Sequence, residues 1–251
     1  MTRTSMFIML TVLLCAGCGE LSRDNSYDQK RCESPCPGGE MCRDGACVKD
    51  PCPEGMIHVK QKNSARADFC ISGVEASKKK DPTAASLVPG NLPWSNVLGG
   101  EAWAACRASG YTLCSQDQWS DACEGNDSFN SGKQQNQPDA VACSTKELRE
   151  TGSIPACEGG YTGLFDMFGN VAEWVSYTEK DKGIITPHAL AGLSDQNNQG
   201  GSSQCQGFKT DWSSVDLTRA GFRCCVPCDS TGTRCEAKKE WFQYSVYGGK
   251  D

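Results

Sequence analysis

The residues of this chain best equipped for chemistry are eighteen cysteines, two histidines and one close pair of carboxylates. Thiolates are soft ligands suited to copper(I), zinc and iron–sulfur clusters, while oxidised pairs become cross-links. The histidines, His58 and His188, are too few for any site built on three imidazoles. His58 falls in a strand pattern and His188 in a loop, and both read as solvated side chains. Asp166 and Glu173 are separated by a stretch containing Gly169-Asn170, so a tight turn can bring both carboxylates to one cation. Hard oxygen ligands, from carboxylates and backbone carbonyls, suit calcium. The plainer alternative has Glu173 capping the turn and Trp174 filling core.

Charge and composition narrow the partners. Lys+Arg 25 against Asp+Glu 31 give a net charge of −6 over 251 residues. There is no basic excess to hold nucleic acid and no polybasic membrane patch. So many cysteines are hard to keep oxidised in a reducing cytosol, which argues for an exported protein. Arg3 precedes an apolar run from Met6 to Leu14, too short for a membrane-spanning helix but suited to a secretory leader. The run ends in Leu14-Cys15-Ala16-Gly17-Cys18, which resembles a bacterial lipobox with Cys15 where leucine is usual. Residues 1–17 then form a lipoprotein signal peptide, and Cys18 is the lipidated residue that holds the chain to a membrane. Gly19 supplies no inner-membrane retention signal, so the expected location is the bacterial outer membrane or cell surface. A plain signal peptide cut nearby is the other reading. Sixteen cysteines follow Cys18, an even number that allows eight bridges.

These groups need elements to position them. Residues 18–31 are polar and read as a flexible tether. Within residues 32–50, Cys32, Cys36, Cys42 and Cys47 are crowded among Pro37, Gly38, Gly39 and Gly45. So short a piece cannot bury a core and must be cross-linked. It resembles small EGF-like or dickkopf-like modules, with two disulfides expected and zinc as the alternative. Ile57, Val59 and Phe69-Cys70-Ile71 predict two short strands around a polar turn. Ala102, Ala105 and Cys106 predict a helix over Glu101–Ala108. Ser115 and Gln118 form a capping-box pattern ahead of a second helix that buries Trp119, Ala122 and Cys123. The stretches 126–139 and 180–199 read as irregular loops. The expected class is α+β.

Three segments, in this order, resemble a known family. The first is Gly110-Tyr111-Thr112-Leu113-Cys114 running through Trp119 to Cys123. The second is Gly163-Leu164-Phe165-Asp166-Met167-Phe168-Gly169-Asn170-Val171-Ala172-Glu173-Trp174, the most specific of the three. The third is Gly200-Gly201-Ser202 followed by Gly221-Phe222-Arg223-Cys224. Together they resemble the formylglycine-generating enzyme, or sulfatase-modifying factor, family, from about Cys52 to Cys225. The resemblance implies a loop-rich, disulfide-stabilised variant of the C-type-lectin-like fold for residues 51–227. Residues 228–251 are then a C-terminal tail with a small disulfide loop and the aromatic residues Trp241, Phe242, Tyr244 and Tyr247.

The resemblance also implies site residues. A structural calcium would take the side chain of Asp166, the carbonyls of Gly169 and Val171, and the carboxylate of Glu173. Asp166 stands where the family often has asparagine, which adds charge. Oxidising members bind copper(I) through two cysteines five residues apart, shortly after Gly-Gly-Ser. Aligned on Gly200-Gly201-Ser202, Cys205 takes the first position, but Thr210 takes the second and cannot replace a thiolate. Aligned on Gly221-Phe222-Arg223-Cys224, Cys205 instead matches a structural cysteine that bridges to the position of Cys123. On either alignment the catalytic pair is broken. Relatives that use iron need a histidine triad, which two histidines cannot supply.

Family likeness suggests the bridges Cys106–Cys224 and Cys123–Cys205. Local spacing suggests Cys52–Cys70, Cys143–Cys157 and Cys228–Cys235, with Cys114–Cys225 completing the domain. Vicinal Cys224 and Cys225 could offer two sulfurs to a metal, but are expected to bridge apart. The functional expectation is a non-catalytic, envelope-anchored binding or scaffold module whose ligand is a protein, peptide or glycan. Residues 126–139, 180–199 and Trp212 are its candidate surface. The alternative is a copper-dependent oxidoreductase that converts a substrate cysteine to formylglycine, using Cys205 with an atypical partner. A purely structural envelope lipoprotein is a third reading.

Overall fold

The computed structural model describes residues 40–43, 46–61, 66–79, 83–125, 143, 147–179, 184–192, 204–211 and 216–236. The leader with Cys18, the tether, Cys32, Cys36, the 126–139 stretch, Trp212 and the aromatic tail lie outside them.

Along the chain, β1 (Glu40–Arg43) and β2 (Ala46–Lys49) form an antiparallel hairpin that places Cys42 opposite Cys47. Cys47 is disulfide-bonded, so it is not a free zinc thiolate. The main body begins with β3 (Met56–Val59) and β4 (Phe69–Ser72), then a two-residue pair β5 (Ser77–Lys78) and β6 (Ala85–Ser86). Helix α1 (Gly99–Ala108), β7 (Thr112–Leu113) and α2 (Gln116–Glu124) follow. The last strands are β8 (Ala172–Glu179), β9 (Ile184–Ala191), β10 (Ala220–Phe222) and β11 (Cys224–Pro227).

Among the described residues the main body holds two principal sheets. One is antiparallel throughout, in the order β3-β4-β11-β7; the other is β10-β8-β9, with β10 parallel and β9 antiparallel to β8. Side chains alternate between the faces of a strand. In β4, Cys70 joins the apolar layer under α1, while Phe69 and Ile71 join the layer under α2. In β11, Cys224 and Val226 take the first layer and Cys225 the second. The chain therefore needs few long elements, because short strands such as β4 and β11 each contribute to two cores.

The helices follow from their caps and stripes. Ser115 Oγ accepts from the Gln118 amide at 3.1 Å, and Gln118 Oε1 accepts from the Ser115 amide at 2.9 Å. Both sides of the capping box are thus made. Trp119, Ala122 and Cys123 on α2 and Ala102, Ala105 and Cys106 on α1 are buried.

The 180–199 stretch departs from the expected irregular loop, because β9 occupies Ile184–Ala191 and pairs along the length of β8. Ile184, Ile185 and Thr186 are β-branched and favour a strand. A shift in register between Val175 and Ser176 falls where Pro187 faces Ser176. Proline has no N–H to offer the ladder, so an irregularity there is its natural place. The polar residues around 180 and 199 mask this strand in the sequence.

Six bridges occur among the described residues: Cys52–Cys70, Cys106–Cys224, Cys114–Cys225, Cys123–Cys205, Cys143–Cys157 and Cys228–Cys235. The vicinal pair diverges for the reason given by strand alternation. Cys224 faces α1 and reaches Cys106, while Cys225 faces the other way and reaches Cys114.

Candidate functional site

The chain passes from one sheet to the other between β10 and β11, and Arg223 is the residue at that passage. Its side chain is fully buried. A guanidinium has five donors in a fixed fork and cannot shed its charge, so it must find acceptors. Nε donates to Glu173 Oε1 at 2.7 Å, Nη1 to the Ser72 carbonyl at 3.1 Å, and Nη2 to the Phe165 carbonyl. Arg223 thus joins β4, β8 and the turn before Asp166.

Glu173, on β8, is also fully buried, and its second oxygen accepts from Trp119 Nε1 of α2 at 2.6 Å. A further carboxylate, Glu75, lies completely inside the fold just after β4. Its Oε1 accepts from the Val171 amide at 3.0 Å and its Oε2 from Asn170 Nδ2 at 2.6 Å. Asn170 in turn accepts from the Arg149 amide at 2.9 Å through Oδ1, and its carbonyl accepts from Arg219 Nη2 at 2.7 Å. Asp166 is 3% exposed, and its Oδ2 accepts from the Gly152 amide at 2.6 Å.

The turn linking these groups is tightly coiled. Asp166, Gly169 and Asn170 have φ of 59°, 81° and 49°. The two non-glycine residues adopt the left-handed region most readily accepted by Asn and Asp. The turn carries Asp166, Gly169 and Val171 into β8, where Glu173 points inward.

Burial pushes all three carboxyls above their ordinary range. For Glu75 the shift is large, with burial first and the negative charges of Glu173 and Asp166 adding to it. For Glu173, burial is opposed by Arg223 and by the hydrogen bond from Trp119. For Asp166, burial is opposed by the Gly152 amide and by Arg223. Three buried carboxyls face one fully buried guanidinium, so this interior has more acid than base when ionised.

Of the residues expected to hold a metal, Asp166, Gly169, Val171 and Glu173 lie on this one turn and strand start. Glu173 already receives a donor on each oxygen. Asp166 and Glu173 supply two side chains, and the backbone carbonyls of Gly169 and Val171 would complete the oxygen set. The described groups with three side-chain ligand atoms within 4.8 Å of one another are Cys52, Cys70, Cys235 and His58, Cys228, Cys235. Their sulfurs are in disulfides and are not thiolates.

Cys205 is fully buried and bonded to Cys123, and Ser120 Oγ donates to its carbonyl at 2.7 Å. Thr210 is exposed. Cys224 and Cys225 are both consumed in bridges on opposite faces. His58 departs from the expected solvated residue: its side chain is 5% exposed and Nε2 lies 3.4 Å from Asp68 Oδ2. The reason is its place on β3, directly opposite Cys70 of β4 and under the Cys228–Cys235 loop. His188 lies on β9.

The sequence reading missed Glu75 and the role of Arg223. A single acid inside the otherwise uncharged run from Phe69 to Ser77 was the available signal for the first. Arg223 stood within a quoted motif, but nothing local named its partner. A family model described as "Sulfatase-modifying factor enzyme 1-like domain" matches residues 45–233. Comparison with individual curated proteins finds no match.

Proposed function

We propose, for a chain that belongs to the sulfatase-modifying factor enzyme 1-like family, that it acts as a non-catalytic, envelope-anchored binding or scaffold module. The observation that carries this reading is Cys205, sealed in a buried bridge to Cys123. Copper(I) chemistry of the family type needs two thiolates held together. The position five residues on is Thr210, and the vicinal Cys224 and Cys225 are bridged apart. The copper-dependent alternative would have to open Cys123–Cys205 and recruit a second sulfur.

Several features favour a binding role. Val88, Leu92 and Leu98, on the segment leading into α1, are 60%, 59% and 62% exposed. Large apolar side chains left in water on one segment suit contact with a protein or peptide, and the polar composition of 126–139 suits the same role toward a glycan or protein. Export and anchoring through Cys18 are part of the same reading. The six bridges among the described residues favour an oxidising compartment. No described helix is long and apolar enough to cross a membrane.

Calcium is the cofactor that suits the interior. The donor set of Asp166, Glu173 and the carbonyls of Gly169 and Val171 is all hard oxygen, and the surrounding acid exceeds base. Bound there, the ion would supply positive charge. Asp166 would orient toward it, Glu173 would keep Arg223 and Trp119 in place, and Glu75 would hold the turn through Val171 and Asn170.

The test is a direct assay. The purified protein is incubated with copper(I), oxygen and cysteine-containing peptides, with mass spectrometry of the peptides. No conversion of cysteine to formylglycine is expected. Turnover that depends on Cys205 would overturn the proposal.

A further inference from the structure

The pairing of β3 with β4 sets His58 opposite Cys70. Beyond β11 the Cys228 amide donates to the Asp68 carbonyl at 2.8 Å, and the chain loops back so that the Cys235 amide donates to the Pro51 carbonyl at 3.3 Å. Two bridges distant in sequence are thereby stacked. The sulfurs of Cys52, Cys70 and Cys235 all lie within 4.8 Å of one another. A ring nitrogen of His58 lies within the same distance of the sulfurs of Cys228 and Cys235. Asp68 is fixed by the Gln61 amide at 2.8 Å on Oδ1, and its Oδ2 lies 3.4 Å from His58 Nε2. Cys70, Cys228 and Cys235 are buried, whereas Cys52 is partly open.

Disulfides exchange when a thiolate attacks a neighbouring disulfide sulfur, and the reaction is favoured where the departing thiolate is stabilised. An imidazole beside a sulfur, with a carboxylate at ion-pair distance to balance its protonated form, is suited to that task. We propose that Cys52–Cys70 and Cys228–Cys235, with His58 beside them, form a thiol–disulfide exchange unit that takes reducing equivalents from an external dithiol and passes them between the two bridges. His58 acts as the proton donor and acceptor of the unit.

A thiolate of the external dithiol attacks Sγ of Cys228, the Cys228–Cys235 bond breaks, and Cys235 leaves as a thiolate that can take a proton from His58. The second thiol of the dithiol loses its proton and resolves the mixed disulfide, releasing Cys228 as a thiol and the dithiol as its disulfide. Two electrons and two protons have then entered the protein. The Cys235 thiolate next attacks Sγ of Cys52, forming Cys52–Cys235 and breaking Cys52–Cys70. Cys70 leaves as a thiolate and is protonated. This second step transfers no net electrons: it leaves Cys228 a thiol and moves the other thiol from Cys235 to Cys70 on β4. Attack of the Cys228 thiolate on Sγ of Cys235 then re-forms Cys228–Cys235 and releases Cys52 as a thiol, which completes the transfer.

Peptide mapping of C228S tests the inference without any reductant. Removing Cys228 leaves Cys235 a thiol beside the second bridge. After quenching with an alkylating reagent, a Cys52–Cys235 linked peptide with alkylated Cys70 is expected. In C235S, the thiol left is Cys228, which is outside the close group of three sulfurs, and Cys52–Cys70 is expected to remain. Retention of Cys52–Cys70 with alkylated Cys235 in C228S would overturn the proposal. Should C228S not fold, the unmutated protein treated with substoichiometric dithiothreitol gives the same decision: once Cys228–Cys235 has opened, the Cys52–Cys235 peptide must appear. H58Q in that assay should slow the opening of Cys228–Cys235 about tenfold or more. An unchanged rate in H58Q, with the protein folded by circular dichroism, would remove His58 from the unit.

Discussion

Arg223 shows how a single buried charge organises this interior. Its partner Glu173 is separated from it by fifty residues, and both are sealed from water. A buried pair of this kind is costly to break from one side, because the survivor is left ionised in a medium that cannot solvate it. Arg223→Met should therefore destabilise the fold by about 3–5 kcal/mol. Adding Glu173→Gln should recover part of that loss, because the stranded charge is gone. Equilibrium denaturation of both variants measures it, and a double variant no better than the single would contradict the pairing. The carboxyls also dictate a pH dependence. Glu75, Asp166 and Glu173 are all raised, chiefly by burial. A carboxyl with a raised folded pKa holds its proton more tightly folded than unfolded, so its contribution is most favourable at low pH. That contribution is lost as pH climbs from the unfolded value of about 4 through the raised folded one. In chelator, melting temperature should fall across that interval, and Glu75→Gln should flatten the fall while losing one of its two buried hydrogen bonds. Calcium should restore stability at the upper end. Thermal melts from pH 4 to 8, with and without the ion, would expose a missing slope.

At the scale of elements, the clearest sequence signals were those that close within a few residues. Ser115 and Gln118 form their reciprocal hydrogen bonds at 3.1 and 2.9 Å, and Trp119, Ala122 and Cys123 follow on the buried face. Ser115→Ala should cost about 1 kcal/mol, the usual worth of an N-cap side chain. A urea titration would show it, and an unchanged midpoint would mean that the helix is held by packing alone. The α+β class was legible for the same reason, because short apolar strands and capped helices are local patterns. What local pattern could not supply was β9, whose pairing with β8 survives a register shift at Pro187. Nor could it supply the acid–base interior. Glu75 meets Val171 across 96 residues and Trp119 meets Glu173 across 54. Such partners are brought together by the sheets, and no spacing rule connects them. The resemblance drew attention to the turn from Asp166 to Glu173 but said nothing of Glu75 or of the acceptors around Arg223. His58 was misjudged for a related reason: what covers it is a loop from the far end of the domain.

Over the whole molecule, the cross-links act as a set. Cys106–Cys224 spans 118 residues and Cys114–Cys225 spans 111, yet the two bridges begin and end close together in sequence. With either one in place, the other closes only the short path through residues 106–114 and the vicinal pair. Cys123–Cys205 lies inside both loops and leaves a path of about thirty residues between 114 and 225; in the loop-entropy view a closure of about ten residues is worth about 3 kcal/mol and one of about thirty about 4 kcal/mol. Removing one bridge, as C106A/C224A or C114A/C225A, should therefore cost about 3 kcal/mol, because the long loop stays closed. Removing both should cost about 7 kcal/mol, about 1 kcal/mol more than twice the single loss. Such an excess is the signature of groups that constrain the same part of the unfolded chain. Two simultaneous losses of that size approach the full stability of an ordinary domain. The quadruple variant should accordingly be unfolded or nearly so at 37 °C, while each double variant keeps its melting transition. Matched denaturation curves of the three proteins decide the matter. Strictly additive losses would mean that the bridges stabilise through native packing under α1 and α2, with no shared loop to hold.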